Sequence, residues 1–153
     1  MLRFEDAPDE VITLMNRIIS ESFSELANAK IKVIFDLKKR LSNGKVVLGR
    51  FQKTSDLLRH LTVEEAADDF GFDYIMYLDK MIFTNITEGD KIKIIRHELR
   101  HSNVDMEADN PYKLRGHDLE DFTEEVELNS DDLRWAERCV TIGLSLYDRN
   151  NNQ

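Results

Sequence analysis

The stretch Lys93–Asp105, KIIRHELRHSNVD, carries two histidines one helical turn apart, with a glutamate directly after the first. His97 and His101 stand at i and i+4, so on a helix both imidazoles project from the same face. That separation lets two ring nitrogens reach one zinc ion at about 2.0–2.1 Å. Glu98 lies about 100° further round the helix. There it is too far round to be the natural third ligand, yet close enough to take a proton from water and pass it to a leaving amine. The segment has helical signals of its own. Thr87 with Asp90 makes a cap, and helical character is predicted to run to about Ser102. A chance H-E-x-x-H match in a chain of this composition has a probability of roughly one in a hundred. The competing interpretation is a solvated helix whose His97, Glu98, Arg100 and His101 make surface ion pairs.

Catalytic zinc takes three protein ligands and leaves one position to water, so a third ligand discriminates between the two. Only two other histidines exist. His60, in SDLLRHLT, reads as a surface side chain. His117, in LRGHDLEDF, comes after a loop that could return a second helix to the first. Gly116 permits close backbone approach there, and Asp118 or Glu120 could hydrogen-bond an imidazole from outside. Glu107, Glu120 and Glu124 are rival carboxylate ligands. Glu120 is the best of them, because it shares a helical face with His117. Tyr112 and Arg115 precede His117 and are candidates to stabilise an oxyanion, although a plain surface role is commoner for each.

Around this segment the pattern alternates between helix and strand. Residues 8–27 place Ile12, Met15, Ile19, Phe23 and Leu26 on one stripe, with Pro8 in the first turn. IKVIFDL at 31–37 reads as a strand, Asn43-Gly44 as a turn, and KVVLGRFQKT as the returning strand of a hairpin. TVEEAADDFG at 62–71 predicts a short helix capped by Thr62 with Glu65 and ended by Gly71. FDYIMYLDKMIF at 72–83 predicts a strand, or a strand plus a turn. Residues 104–116 read as a loop and 117–129 as an acidic helix. From Ser130 a further helix presents Leu133, Val140, Leu144 and Tyr147 on one face and Trp135, Cys139, Ile142 and Leu146 on a second. Residues 149–153 are expected to fray. Cys139 reads as packing, and Trp135 with the aromatics of FGFDYIMY as core.

Size and charge narrow the function. The 153 residues suit one domain. A net charge of -9 disfavours nucleic acid or an anionic membrane as a partner of the unaided chain, although KKRLSNGK at 38–45 is a local basic cluster. One cysteine, no apolar leader and no run of about 20 apolar residues predict a soluble protein of a reducing cytoplasm. No Gly-rich phosphate loop or CxxC pair is present.

HELRH with GHDLEDF after it resembles the phage metallopeptidases, compact zincins related to the SprT-like family, over about Tyr74 to Phe122. In the SprT-like pattern the third histidine opens an H-G-x-x-F element, whereas here Asp118 stands next to His117 and Phe122 falls five residues on. The resemblance implies an α+β fold over 1–153. This would be a compact zincin-like, minimal gluzincin-type domain with an N-terminal helix, a three- to four-stranded sheet, the H-E-x-x-H helix and C-terminal helices. It implies that His97, His101 and His117 bind Zn2+ and that Glu98 is the general base. The strand at 73–78 would border the cleft and could pair with an extended substrate, as edge strands do. The function implied is hydrolysis of a peptide or protein by a zinc-dependent peptidase, in the host cytoplasm if the chain is phage-encoded. The alternative is a non-catalytic zinc-containing protein that sequesters a host protein.

Overall fold

The computed structural model describes residues 2–116 and 134–151 of the chain. Its sheet is built around β6 (Tyr74–Asp79), whose sequence YIMYLD is apolar nearly throughout, as a strand flanked on both edges requires. On one side β6 pairs in parallel with β2 (Ile31–Asp36), from Ile31↔Tyr74 to Asp36↔Asp79. On the other it pairs antiparallel with β5 (Gly49–Lys53), from Gly49↔Leu78 to Lys53↔Tyr74. β1 (Phe4–Asp6) closes the four-stranded sheet against β2, giving the order β1-β2-β6-β5.

Two expectations change here. The strand after Asn43-Gly44 does not return along β2. Those two residues, at φ 53° and 77°, turn a separate two-stranded ribbon of β3 (Leu41–Ser42) and β4 (Lys45–Val46), and β5 then pairs with β6. The strand at 73–78 is therefore internal, and within the described sheet the edge on its side is β5. Sequence alternation says which residues face the core, but the neighbouring strand is chosen by surfaces brought together over tens of residues.

One sheet face carries Val33, Phe35, Tyr74, Met76 and Leu78 into a hydrophobic cluster. Helix α1 (Asp9–Ser22) covers it with Val11, Met15, Ile18 and Ile19, and a 3-10 turn at Ser24–Leu26 adds Phe23 and Leu26. Pro8 sits at the N-cap, where its carbonyl accepts from Val11 and Ile12. After β5 the chain forms α2 (Asp56–Leu61), capped by the Ser55 hydroxyl, and α3 (Val63–Ala66). The Thr62 capping box does not form. Its hydroxyl instead donates to the Leu58 carbonyl and accepts from Phe72 N–H, because α2 occupies the residues before it. Gly71 does end the excursion, at φ 73°, with the Arg59 carbonyl filling the space a side chain would need.

A short helix α4 (Lys80–Phe83) leads into α5 (Glu88–Leu99), the H-E-x-x-H helix, which begins as expected with Thr87 Oγ1 accepting from Asp90 N–H at 3.2 Å. The next residues, expected to be loop, form a hairpin of β7 (Ser102–Val104) and β8 (Tyr112–Leu114). Helix α6 (Trp135–Asn151) completes the described fold and carries on into the stretch expected to fray. Its buried stripe is that of Trp135 and Cys139, continued by Gly143, where a Cβ would strike Ile82 of α4. Leu144, expected on an inner face, is exposed. The Ser130 cap, Leu133 and the acidic helix at 117–129 lie outside the described residues. No described helix is long and apolar enough to cross a membrane.

Candidate metal centre

Helix α5 is anchored by Ile94, Ile95 and Leu99, each 1% exposed or less. Burying side chains of this size is worth about 1.5–3 kcal/mol each, so the helix has little freedom to rotate. Asp90 at its start is buried and takes Nε and Nη2 of Arg138 on α6 at 3.2 and 2.5 Å. At its other end the Arg100 guanidinium lies 4.4 Å from the centroid of Phe23.

This fixed helix sets His97 and His101 on one side, ring centroids 5.5 Å apart and nearly perpendicular. The helix stops earlier than the expected Ser102. Arg100 is the C-cap, and His101 N–H bonds to the Glu98 carbonyl at 3.1 Å in a tightened last turn. The Ser102 hydroxyl donates to the Leu99 carbonyl at 2.7 Å, satisfying one of the terminal acceptors as the chain turns into β7. His101 therefore sits where the helix meets the hairpin. Its Nδ1 is 2.9 Å from the carbonyl oxygen of Arg115, just past β8, and Arg115 N–H donates to the His101 carbonyl at 2.6 Å. His97 faces the indole of Trp135 edge-on, centroids 6.5 Å apart.

Glu98 is 5% exposed, unusual for a carboxylate. It rests on β5 at Gly49, where a Cβ would lie 3.3 Å from Glu98 Cγ and 3.4 Å from Oε1. A glycine inside a strand pattern is the signal of such a close approach. Gly49 and the Arg115 main chain are the parts of this site that the reading of motifs passed over.

The remaining candidates sort by position. His60 is exposed on α2. Glu107 sits at the exposed turn of the β7–β8 hairpin, its N–H on Asp105 Oδ1. Among the described residues no third His, Cys, Asp or Glu gathers with the two histidines, which sets Glu107 aside. His117, Asp118, Glu120 and Glu124 lie outside the described residues. Tyr112 packs its ring 5.8 Å from Tyr74, and burial with Asp73 nearby raises its pKa. It thus faces the start of β6, whereas Arg115 is joined to His101. Cys139 is buried, its pKa pushed up to about 11 by burial and then by Asp90, and is packing as expected.

The described donors suit a divalent metal: two imidazoles on one helical face, one of them with Nδ1 engaged by a carbonyl so that Nε2 is the nitrogen able to form a ligand bond. No curated protein and no solved structure matches the chain. The family model described as "Putative phage metallopeptidase" matches residues 2–141, from the sheet through α5 and into α6. The chain belongs to that family of phage metallopeptidases.

Proposed function

We propose that the chain is a zinc-dependent peptidase of zincin-like architecture in one domain, with His97, His101 and His117 as metal ligands and Glu98 as general base. The observation that carries this reading is the placement of a buried Glu98 beside two histidines that share a helix face, within a chain that belongs to a metallopeptidase family. Held by those side chains, zinc would supply Lewis acidity for a peptide carbonyl and for water. Glu98 receives the proton of the attacking water on its carboxylate and delivers it to the departing amide nitrogen.

Strand β5 takes the part first expected of β6. An extended substrate laid along it gains main-chain hydrogen bonds and passes Gly49, where Glu98 rests. The Arg115 side chain, whose main chain is tied to His101, serves to steady the oxyanion. Beyond the hairpin in sequence, His117 completes the ligands, with Glu120 as the substitute carboxylate.

The test is metal content together with cleavage of an unfolded protein such as casein. Wild type should hold one equivalent of zinc and cleave. Glu98→Gln should hold zinc and lose at least about a hundredfold in rate. His117→Ala should lose most of the zinc. Retention in His117→Ala but loss in Glu120→Gln transfers the third ligand to Glu120. Full activity in Glu98→Gln overturns the mechanism. Zinc bound without hydrolysis of any peptide favours a sequestering protein instead.

A further inference from the structure

On the face of the sheet turned away from the metal centre one end is covered, with Ile75 buried and Lys32 paired with Glu65 of α3, and the strip next to it is more open. In register on that face stand Phe4, Asp36 and Asp79, then Asp6, Ile34, Tyr77 and Arg50. Phe4 and Arg50 are exposed and Tyr77 is half-buried, so this is an aromatic surface open to solvent. The two rings lie 5.6 Å apart, and each is flanked by a guanidinium: Arg3 at 5.6 Å from Phe4 and Arg50 at 5.7 Å from Tyr77.

The basic segment KKRLSNGK leaves β2 at the same end. Arg40 returns to Asp36, with Nε 3.5 Å from the carboxylate, and Lys39 lies 5.7 Å from the ring of Tyr147. Asp36 is buried and shared between Arg3 and Arg40. Glu5 and Asp6 at the border pair with Lys80 and Lys32. Against Glu5, Asp6, Asp36, Asp79 and Glu65, which meets Lys32, stand Arg3, Lys32, Arg50 and Lys80 with Lys38, Lys39, Arg40 and Lys45 of the basic segment, so the excess of cations comes from that segment, although the whole chain carries a net -9. Aromatic rings interleaved with arginines on an open sheet are the chemistry that stacks unpaired bases and tracks their phosphates.

We infer that this outer face, with Phe4 and Tyr77 as the stacking surface and Arg3, Arg50 and the 38–45 segment as phosphate contacts, binds single-stranded nucleic acid. The site is on the opposite side of the sheet from Glu98 and does not depend on the peptidase reading. It would hold the protein on a strand while leaving the metal centre free. Stacking needs unpaired bases, so a duplex, which offers only phosphate charge, should bind more weakly.

Fluorescence anisotropy of a labelled oligothymidylate of about 15 nucleotides, titrated with full-length protein, tests this. Binding should weaken between about 50 mM and 200 mM salt with a log–log slope of roughly -2 to -3, as three or four phosphate contacts require. Phe4→Ala and Tyr77→Ala should each weaken binding about tenfold, and Arg50→Glu should flatten the slope by about 0.7 or more. Phe4 and Arg50 are exposed, so those two variants carry the test even if Tyr77→Ala fails to fold. A parallel titration with oligouridylate tells RNA from DNA, and binding of either supports the site. Absence of binding at low salt, equal affinity of the Phe4→Ala and Arg50→Glu variants, or a duplex bound as tightly as a single strand overturns it.

Discussion

His101 and Arg115 hold each other twice: the His101 ring places Nδ1 2.9 Å from the Arg115 carbonyl, and the Arg115 N–H donates to the main-chain carbonyl of His101 at 2.6 Å. A carbonyl oxygen only accepts, so Nδ1 carries the hydrogen and the neutral ring keeps its lone pair on Nε2. The hairpin thus orients one histidine for a metal before any metal binds. In 15N-labelled, metal-free protein the neutral His101 ring should show its proton on Nδ1. A dominant Nε2–H tautomer contradicts the arrangement.

Gly49→Ala should injure stability and catalysis together. Its Cβ would meet the Tyr77 carbonyl at 2.9 Å, part of the β5–β6 ladder, and Glu98 Cγ at 3.3 Å. Overpacking of this kind costs about 1–3 kcal/mol. A displaced general base lowers the rate by up to about a hundredfold. Denaturant unfolding and kcat/KM measured side by side check both. A variant as stable and as fast as wild type means that Glu98 does not rest on β5.

Trp135 is the one tryptophan of the chain and stands 6.5 Å from His97. Cobalt(II), which imidazole binds well, should quench its emission and saturate at one equivalent. His97→Ala should remove the response. Emission indifferent to cobalt in wild-type protein that demonstrably holds the ion places the metal away from His97.

Asp79 makes stability depend on pH. Burial, foremost, raises its pKa above the ordinary carboxylate range, and Asp36 adds to this. The hydroxyl of Tyr147 at 2.5 Å and the Ile82 N–H at 2.9 Å act in the opposite sense. A carboxyl whose pKa rises on folding contributes stability while neutral, below its unfolded pKa, and that contribution is lost as pH rises through the folded value. Asp79→Asn never ionises. Its Tm should therefore gain on that of wild type as pH goes from about 4 to 7. Whatever the constant offset from altered hydrogen bonds, a gap that narrows or stays level over that range counts against the assignment.

Local chemistry was legible in the linear chain. A helix places i and i+4 on one face by its own geometry, so His97, Glu98, His101 and the Thr87 cap could be read within a single stretch, as could the Asn43-Gly44 turn. Features created where distant segments meet could not be read that way. The partners of β6, the edge role of β5, the hairpin that grips His101 and the indole beside His97 all depend on packing between residues far apart in sequence. Net charge has the same limit. It sums over the molecule, whereas a binding partner meets one face, and only the folded sheet brings Phe4, Tyr77 and Arg50 onto one side. Composition and periodicity are properties of neighbours along the chain, but a site is a property of neighbours in space.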